Sequence, residues 1–312
     1  MLAPLANWNN TPTRQSILDF VAAVTTPGSP DFVPPEERIA TFDNDGTLWC
    51  EKPMYIQFGY ILREMAQVAA ENSELRAKLP WKAAREKDFR WFGGAITKHY
   101  QGDDTDFRIF LDGVLSMAKN RPVEQVESAA RAFIENEHHP ELGIRYQDCV
   151  YQPMVELLGY LADNGFTNYI VSGGGRDFMR GFAQQLYNIP RDRVLGSTVA
   201  YRYMEDENSV RIVQQPELDV IDDGPGKPLQ IWNVIGRRPV LAAGNSNGDI
   251  EMLKFAQSNG GKFLNLLLLH DDDQREYAYR EGAEQALTLA AERQWLIISM
   301  KSDFRQIFKT KE

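Results

Sequence analysis

The pattern that most constrains this fold is an alternation of short apolar strands, turns and helices that begins after Tyr146. Helical segments separate the predicted strands, which are residues 167–171, 194–195, 240–243, 262–269 and 295–298. Parallel strands need crossover connections, which are usually helices. We therefore predict an α/β protein with a Rossmann-like, doubly wound parallel sheet. Residues 198–213 depart from this pattern, because polar and apolar residues alternate there, which predicts an antiparallel hairpin at the sheet's edge.

The first part of the chain adds one strand and a long helical segment. Residues 38–42 form a short apolar stretch after a Pro- and Gly-rich segment, which predicts a strand. From about residue 55 to 137, apolar residues recur at helical spacing and no strand pattern interrupts them. We therefore predict an α/β core made of residues 1–49 and 146–312. An all-helical insertion, residues 50–145, would lie between its two parts.

Charge and apolar content argue against two classes of partner. The net charge of −10 and the pI near 5.1 argue against a nucleic-acid binder, which needs a basic face. No apolar run is long enough to cross a bilayer, so we predict no membrane contact. Residues 1–10 lack the features of a signal peptide, which favours a cytoplasmic protein by default, or a periplasmic one if such a peptide was removed. Whether Cys50 and Cys149, the only cysteines, form a disulfide stays open.

Four polar segments lie at or near the carboxyl ends of predicted strands. They are, in chain order, Asp43-Asn44-Asp45-Gly46-Thr47, Ser172 with the three glycines after it, Gly224-Pro225-Gly226-Lys227-Pro228, and residues 244–249. Each segment alone is ambiguous, since Asn, Asp and Gly also favour β-turns and most loop lysines are merely solvated. Ligands of open α/β sheets bind at the carboxyl edge of the strands, so the four segments together predict one shared crevice.

In this order the segments resemble the four motifs of the haloacid-dehalogenase-like superfamily, in the form of its phosphoserine phosphatase-like members. The resemblance implies Mg²⁺-dependent hydrolysis of a small phosphomonoester through an aspartyl-phosphate. Asp43 would attack phosphorus, and Asp45 would protonate the leaving oxygen and later activate water. The resemblance covers residues 38–48 and the chain from Tyr146 onward. Inside the insertion it is only architectural, and it implies a helical cap of the C1 type over the substrate.

The same resemblance implies a phosphate site and a magnesium site. The phosphate would be held by Thr47, Ser172, Gly173 and Lys227. The cation would be bound or supported by Asp43, Asp45, Asn245 and Asp249. Asn245 departs from the family's pattern, because it stands where the first acid of the fourth motif is expected. An amide oxygen can ligate magnesium, but it brings no charge.

We predict structural rather than catalytic roles for the charged and aromatic residues of the insertion. Glu51 and Lys52 follow the first motif and could reach a substrate, but we expect them to be solvated like most charged residues of a flap. Four aromatic residues are expected to form the insertion's own core: Trp81, Phe89, Trp91 and Phe92. No mechanism based on histidine is indicated.

Three alternatives remain open from the sequence. A dehalogenase would use Asp43 against carbon, but it needs neither magnesium nor an acid at Asp45, so Asp45 and Asp249 speak against it. Asn245 motivates a phosphate-binding or catalytically weak regulatory protein. Transfer of the phosphoryl group to an acceptor other than water uses the same intermediate. We expect a small phosphorylated metabolite as substrate, and the sequence makes no prediction about the oligomeric state.

Overall fold

The structure is a computed structural model that describes residues 4–100 and 102–309. Its centre is a seven-stranded sheet with the strand order β4-β3-β2-β1-β5-β6-β7. The strands are β1 (Ile39–Phe42), β2 (Thr167–Gly175), β3 (Val194–Asp206), β4 (Ser209–Val220), β5 (Leu241–Gly244), β6 (Leu264–Leu269) and β7 (Leu296–Ser299). All neighbouring strands are parallel except β3 and β4. The predicted fold class is confirmed.

The hairpin at the sheet's edge is longer than the sequence pattern indicated. β3 and β4 pair antiparallel from Thr198 with Val220 to Asp206 with Ser209. β3 begins at Val194, because the predicted strand at residues 194–195 continues without a break into the first arm of the hairpin. A single long strand therefore pairs with β2 at its start and with β4 along the rest of its length.

Helices cover both faces of the sheet and fill the segment between β1 and β2. They are α1 (Pro12–Thr25), α2 (Ile56–Glu71), α3 (Trp81–Glu86), α4 (Phe89–Tyr100), α5 (Thr105–Ala118), α6 (Val123–Asn136), α7 (Gln152–Asp163), α8 (Arg176–Arg180), α9 (Ala183–Tyr187), α10 (Gly226–Ile235), α11 (Ile250–Gln257), α12 (Glu284–Arg293) and α13 (Met300–Asp303). In the described ranges, no helix has the length and apolar content that crossing a membrane requires.

Apolar side chains on the two faces of the sheet form separate clusters. One face buries Phe42, Ile170 and Leu241 against α1 and α7, whereas the other buries Val171 and Ala242 against α11 and α12. Alternate residues of a strand point to opposite faces, so the short central strands are buried on both sides. This double burial fixes the position of the loops that follow β1, β2 and β5.

The segment between β1 and β2 has a small core of its own. Trp81 and Phe92 are buried there together with Leu62 and Met65, and Trp91 packs against them. Phe89 is a correction, since it is 50% exposed. It is the first residue of α4, where its side chain faces solvent instead of the neighbouring helices.

Helix α6, the last helix within residues 50–145, packs into the core of the sheet. Ala130, Phe133 and Ile134 of α6 join the same cluster as Phe42 and Ile170. Division of the chain into a core of residues 1–49 and 146–312 and an insertion of residues 50–145 stays a prediction. The two cysteines, Cys50 and Cys149, are buried and free.

Candidate active site

The first polar segment follows the central strand and forms a tight turn. Backbone N–H of Asp43 donates to the carbonyl of Ala243, and Gly46 N–H donates to the carbonyl of Trp49 at 2.8 Å. Gly46 has a φ of +71°, and a Cβ there would lie 2.2 Å from Asn245 Nδ2. Only glycine fits this combination of left-handed backbone and close approach. The turn therefore presses the first motif against the fourth.

Lys227 joins two of the predicted site carboxylates. Its Nζ donates to Asp43 Oδ1 at 2.8 Å and to Asp249 Oδ1 at 2.5 Å. The side chain is only 2% exposed. Burial disfavours the ammonium, but the neighbouring Asp249 and Asp43 carboxylates raise the pKa of Lys227 above its ordinary value. Lys227 is therefore a positive charge held between Asp43 and Asp249.

Asp249 uses both of its carboxylate oxygens inside the protein. Oδ1 accepts from Lys227, and Oδ2 accepts from the backbone N–H groups of Asn245 at 2.9 Å and Ser246 at 3.0 Å. Its side chain is fully buried. Gly244 permits this position, since a Cβ there would lie 2.4 Å from Asp249 Cγ. Asp249 thus holds the fourth motif and Lys227 in place.

Asp43 and Asp45 have different surroundings. Burial raises the pKa of Asp43, and Lys227 at 2.8 Å opposes that rise. Burial raises the pKa of Asp45 to about 7, although its Oδ1 accepts a hydrogen bond from Trp49 Nε1 at 2.8 Å. A group that titrates near neutral pH can both give and take a proton. Two carboxyl groups two residues apart therefore differ in their hydrogen-bond partners.

The second polar segment lies beside the first. Ser172 is 1% exposed at the carboxyl end of β2, and its Oγ accepts from Gly174 N–H at 3.2 Å. A Cβ on Gly174 would lie 3.6 Å from Asp45 Oδ2, which shows how closely the glycine backbone approaches that acid. Gly175 N–H donates to Gln57 Oε1 of α2 at 2.7 Å. This hydrogen bond ties the helical segment to the glycine loop.

Glu51 is a site residue that the sequence analysis missed, and its predicted solvation is wrong. It is 7% exposed and lines the cavity described below. Its Oε1 accepts from Asn245 Nδ2 at 3.2 Å and from the Tyr279 hydroxyl at 2.6 Å. Trp49 and Cys50, both fully buried, turn the chain inward just before it. The apolar run 48–50 is the signal that would have predicted a buried position for the next residue.

His270 is a second residue without a predicted role that supports the site. Its Nε2 lies 2.8 Å from the carbonyl of Gly46, and its Nδ1 lies 3.2 Å from Glu276 Oε2. The imidazole stacks on Tyr279, with ring centroids 4.4 Å apart. It fixes the turn of the first motif and does not line the cavity.

One cavity of about 610 Å³ collects most of the predicted site residues. Its polar end is lined by Asp43, Asp45, Ser172, Gly173 and Lys227. The other three predicted residues, Thr47, Asn245 and Asp249, are buried behind this wall. Thr47 Oγ1 donates to Asn245 Oδ1 at 3.1 Å, so its contact with phosphate stays a prediction.

The donor set has the chemistry that Mg²⁺ prefers. The carboxyl groups of Asp43 and Asp249 contact the Lys227 ammonium. Those of Asp45 and Glu51 line the same cavity. Among the residues that the structure describes, no three or more acidic, histidine or cysteine side chains are already arranged as a metal cluster. Magnesium is usually held by only one or two carboxylates together with water and substrate phosphate, so a closed cluster is not required. The excess of negative oxygen ligands fits a hard divalent cation.

Comparisons with known proteins agree with the architecture. The sequence matches the family described as haloacid dehalogenase-like hydrolase over residues 40–254, a range that includes all four polar segments. Comparison with curated proteins gives no match.

Two solved structures share the fold. One, a conserved functionally unknown protein from Anaerococcus prevotii DSM 20548, has a TM-score of 0.56 and 19% identity, covering 95% of this chain and 94% of that chain. The other, a protein with unknown function from Bordetella pertussis Tohama I, has a TM-score of 0.52 and 13% identity, covering 84% of this chain and 98% of that chain. At these identities the likeness concerns the fold alone.

Proposed function

Because this chain belongs to the haloacid dehalogenase-like hydrolases, we propose that it hydrolyses phosphomonoesters through an aspartyl-phosphate formed on Asp43. The observation that carries the proposal is that Asp43, Asp45, Ser172 and Lys227 line one cavity. They supply a nucleophile, an acid/base, a hydroxyl donor and a cation, which are the groups that phosphoryl transfer uses. The proposed substrate is a small phosphorylated metabolite, and residues 50–145 are the proposed cap over it.

In the first step, an oxygen of Asp43 attacks phosphorus while the bond to the leaving oxygen breaks. Lys227 holds Asp43 Oδ1 at 2.8 Å, which leaves Oδ2 to form the new bond. The leaving oxygen takes its proton from Asp45, because a pKa of about 7 keeps much of this group protonated at neutral pH. The products of the step are phosphorylated Asp43 and the free alcohol.

In the second step, Asp45 acts as a base. It takes a proton from water as the water oxygen attacks phosphorus, and the bond between phosphorus and Asp43 breaks. Free phosphate leaves, and Asp45 is again protonated. During both steps the Lys227 ammonium, the Ser172 hydroxyl and the Gly173 backbone N–H stabilise the charged phosphoryl oxygens.

A magnesium ion completes the proposal. We propose Asp43, Asp45 and Asn245 as residues that hold it, with Asp249 supporting the loop that carries Asn245. When bound, the cation would neutralise negative charge on the phosphoryl oxygens. Thr47 contributes through its hydrogen bond to Asn245.

The test uses p-nitrophenyl phosphate with and without Mg²⁺. The wild-type protein is expected to release p-nitrophenol in a metal-stimulated reaction, and Asp43→Asn is expected to abolish turnover while the chain stays folded. Asp45→Asn is expected to release about one equivalent of p-nitrophenol and then stop, because this leaving group needs no proton but hydrolysis of the aspartyl-phosphate needs a base. The matched control, Asp163→Asn, removes an exposed carboxylate that does not line the cavity, and it should leave the rate unchanged.

Three outcomes would contradict the proposal. An unchanged rate in Asp43→Asn would exclude it as the nucleophile. Absence of metal-stimulated release under all conditions would favour a phosphate-binding protein, the alternative that Asn245 motivates. Halide release from a haloacid in the presence of EDTA would favour the dehalogenase.

A further inference from the structure

The cavity has a second end, which is apolar. Helices α2 and α5 and the β3–β4 hairpin form its walls. The side chains that define this end, here called the apolar chamber, are Phe58, Ile61, Leu111, Val114, Val199 and Leu218. The chamber is continuous with the wall that carries Asp43 and Asp45, so the leaving group of an ester attacked by Asp43 has room to extend into it.

The chamber is not closed by its own side chains. Phe58, Ile61, Leu111 and Val114 are only partly buried, although neighbouring residues of α2 such as Leu62 and Met65 are buried in the helical core. Leu218 is 43% exposed. Binding of a ligand that removes such apolar surface from water is favourable by about 25 cal/mol per Å² of surface buried.

Three charged side chains around the chamber form hydrogen bonds with the protein. Arg121 donates to Glu64 at 2.7 Å, and Asp177 accepts from the Tyr201 hydroxyl at 2.9 Å and from Gln214 at 2.8 Å. Arg176 Nη2 likewise donates to the Tyr201 hydroxyl at 3.2 Å. The Nε of Arg176 is buried and has no hydrogen-bond partner among residues 4–100 and 102–309.

We propose that the natural leaving group is a bulky apolar alcohol or phenol that fills the apolar chamber, with Arg176 Nε donating to one acceptor atom on it. This inference rests on the proposed phosphatase function. The phosphoryl group occupies the polar end beside Lys227, and the carbon skeleton lies between α5 and the hairpin. A small polar ester such as phosphoserine is a poor substrate on this view, because it leaves the apolar surface of the chamber in contact with water.

The experiment measures kcat/KM for methyl, butyl, hexyl and octyl phosphate and for phosphoserine at one Mg²⁺ concentration. Each added methylene is expected to raise kcat/KM by about fourfold until the chamber is full. Val114→Asp places a charge in the chamber and should flatten this series while methyl phosphate keeps its rate. Val114→Thr, which keeps the shape, should reduce the slope without disturbing the fold. Ser116→Asp is the control, because it puts the same charge on an exposed position of α5.

The outcomes separate the two proposals. A flat alkyl series, or a preference for phosphoserine, in a protein that does hydrolyse methyl phosphate would overturn the chamber and leave the phosphatase intact. A slope that survives in both Val114 variants would also overturn it. Failure to hydrolyse any of the five esters would overturn the phosphatase proposal and this inference together.

A separate observation concerns the amide that replaces an acid in the fourth motif. Asn245 Oδ1 accepts from the Thr47 hydroxyl at 3.1 Å, and Asn245 Nδ2 points to Glu51 Oε1 at 3.2 Å. The amide is thus held on both sides by the protein. Because it carries no charge, the fourth motif lacks the negative ligand that a cation site normally uses.

Glu51 has a free oxygen where that ligand is lacking. Its Oε1 accepts two hydrogen bonds, but its Oε2 has neither a hydrogen bond nor an ion pair with any described residue. The side chain is 7% exposed and lines the cavity beside Asp45. A buried carboxylate without a cation is costly, because burial removes the water that would stabilise its charge.

From this geometry we infer that Glu51 supplies the negative charge and the oxygen ligand for the divalent cation, in place of the acid that Asn245 replaces. Asn245 then positions Glu51 by donating to Oε1. Gly46 makes the arrangement sterically feasible, since a Cβ there would lie 2.8 Å from Glu51 Cδ. Glu51 is thus added to Asp43, Asp45 and Asn245, and it brings the charge that the Asn245 amide does not supply.

The test is direct titration of Mg²⁺ by calorimetry, without substrate. Glu51→Gln is expected to weaken binding by at least about tenfold. The double variant Glu51→Gln with Asn245→Asp reverses donor and acceptor in the same hydrogen bond and moves the charge to position 245. It is expected to recover affinity to within a few-fold of wild type. Asp177→Asn is the control, because it removes a different buried carboxylate from the cavity wall.

Each alternative result has a clear meaning. Unchanged Mg²⁺ affinity in Glu51→Gln would overturn the inference, and a raised KM for an amine-bearing ester in that variant would assign Glu51 to the substrate instead. A folded double variant that stays as weak as Glu51→Gln would show that charge does not exchange between the two positions. Mg²⁺ binding without any turnover would preserve this inference while refuting the phosphatase.

Discussion

Asp222 provides a prediction about stability that can be worked from the structure. It is fully buried two residues after β4, and neither of its carboxylate oxygens has a hydrogen-bond partner in the described part of the chain. Burial raises its pKa from 3.8 to about 7, although the Lys227 ammonium opposes the rise. The folded state therefore keeps this group protonated over a pH range in which the unfolded chain has already lost the proton.

The sign and size of the effect follow from that difference. Below pH 3.8 both states are protonated and Asp222 has no pH-dependent effect. Between pH 3.8 and about 7 the unfolded state is increasingly favoured. Above about pH 7 the free energy of unfolding is lowered by the full amount that Asp222 contributes. A pKa difference of about 3, at 1.36 kcal/mol per unit, amounts to about 4 kcal/mol. With an unfolding entropy of about 2.1 cal/mol/K per residue, a chain of 312 residues loses about 6 °C in Tm.

The assay compares Asp222→Asn with wild type by thermal and urea unfolding from pH 4 to pH 8. The amide brings its own desolvation cost, but this cost is the same at every pH. From pH 4 to pH 8, the free energy of unfolding of the variant should therefore rise relative to that of wild type by up to about 4 kcal/mol. Asp163→Asn, at an exposed position, should give a curve parallel to wild type. A parallel curve for Asp222→Asn as well would refute the reasoning.

Two further substitutions test the ion pairs of Lys227 and the turn at Gly46. Lys227→Met leaves the Asp43 and Asp249 carboxylates buried without their cation, and it should lower the free energy of unfolding by about 3–5 kcal/mol in urea. The exposed Lys301→Met is its control and should unfold like wild type. Gly46→Ala forces a Cβ into a left-handed turn against Asn245, and should cost about 1–3 kcal/mol and weaken Mg²⁺ binding. Wild-type stability in either site variant would show that the turn or the ion pair is not built as described.

Much of the fold follows from local pattern. Short apolar runs that alternate with helices predict a parallel sheet, because a buried parallel strand is apolar on both faces and needs a crossover. The edge hairpin was also predictable, because polar and apolar residues alternate along it. Its full length was not, since residues 194–206 form one strand that changes partners midway, from β2 to β4. A change of partner leaves no mark in the local sequence.

The motif residues were predictable because their chemistry is tied to their position at strand ends. Asp43, Asp45, Ser172 and Lys227 lie on one cavity wall, as the shared edge of parallel strands requires. The different hydrogen-bond partners of Asp43 and Asp45 were not predictable from the sequence. They depend on Lys227 reaching one acid and Trp49 the other, and both contacts are set by tertiary packing.

Glu51 shows why the rest of the site could not be predicted. Charged residues after a strand-end turn are usually solvated, and that expectation fails here because Trp49 and Cys50 are packed in the core. Tyr279, which approaches from a segment more than 200 residues away in the chain, then encloses the carboxylate. A motif that lacks an acid at position 245 is incomplete only when the four segments are considered alone. When the buried neighbours are included, the number of negative charges around the site is restored, and the missing ligand is the carboxylate that the local pattern assigned to solvent.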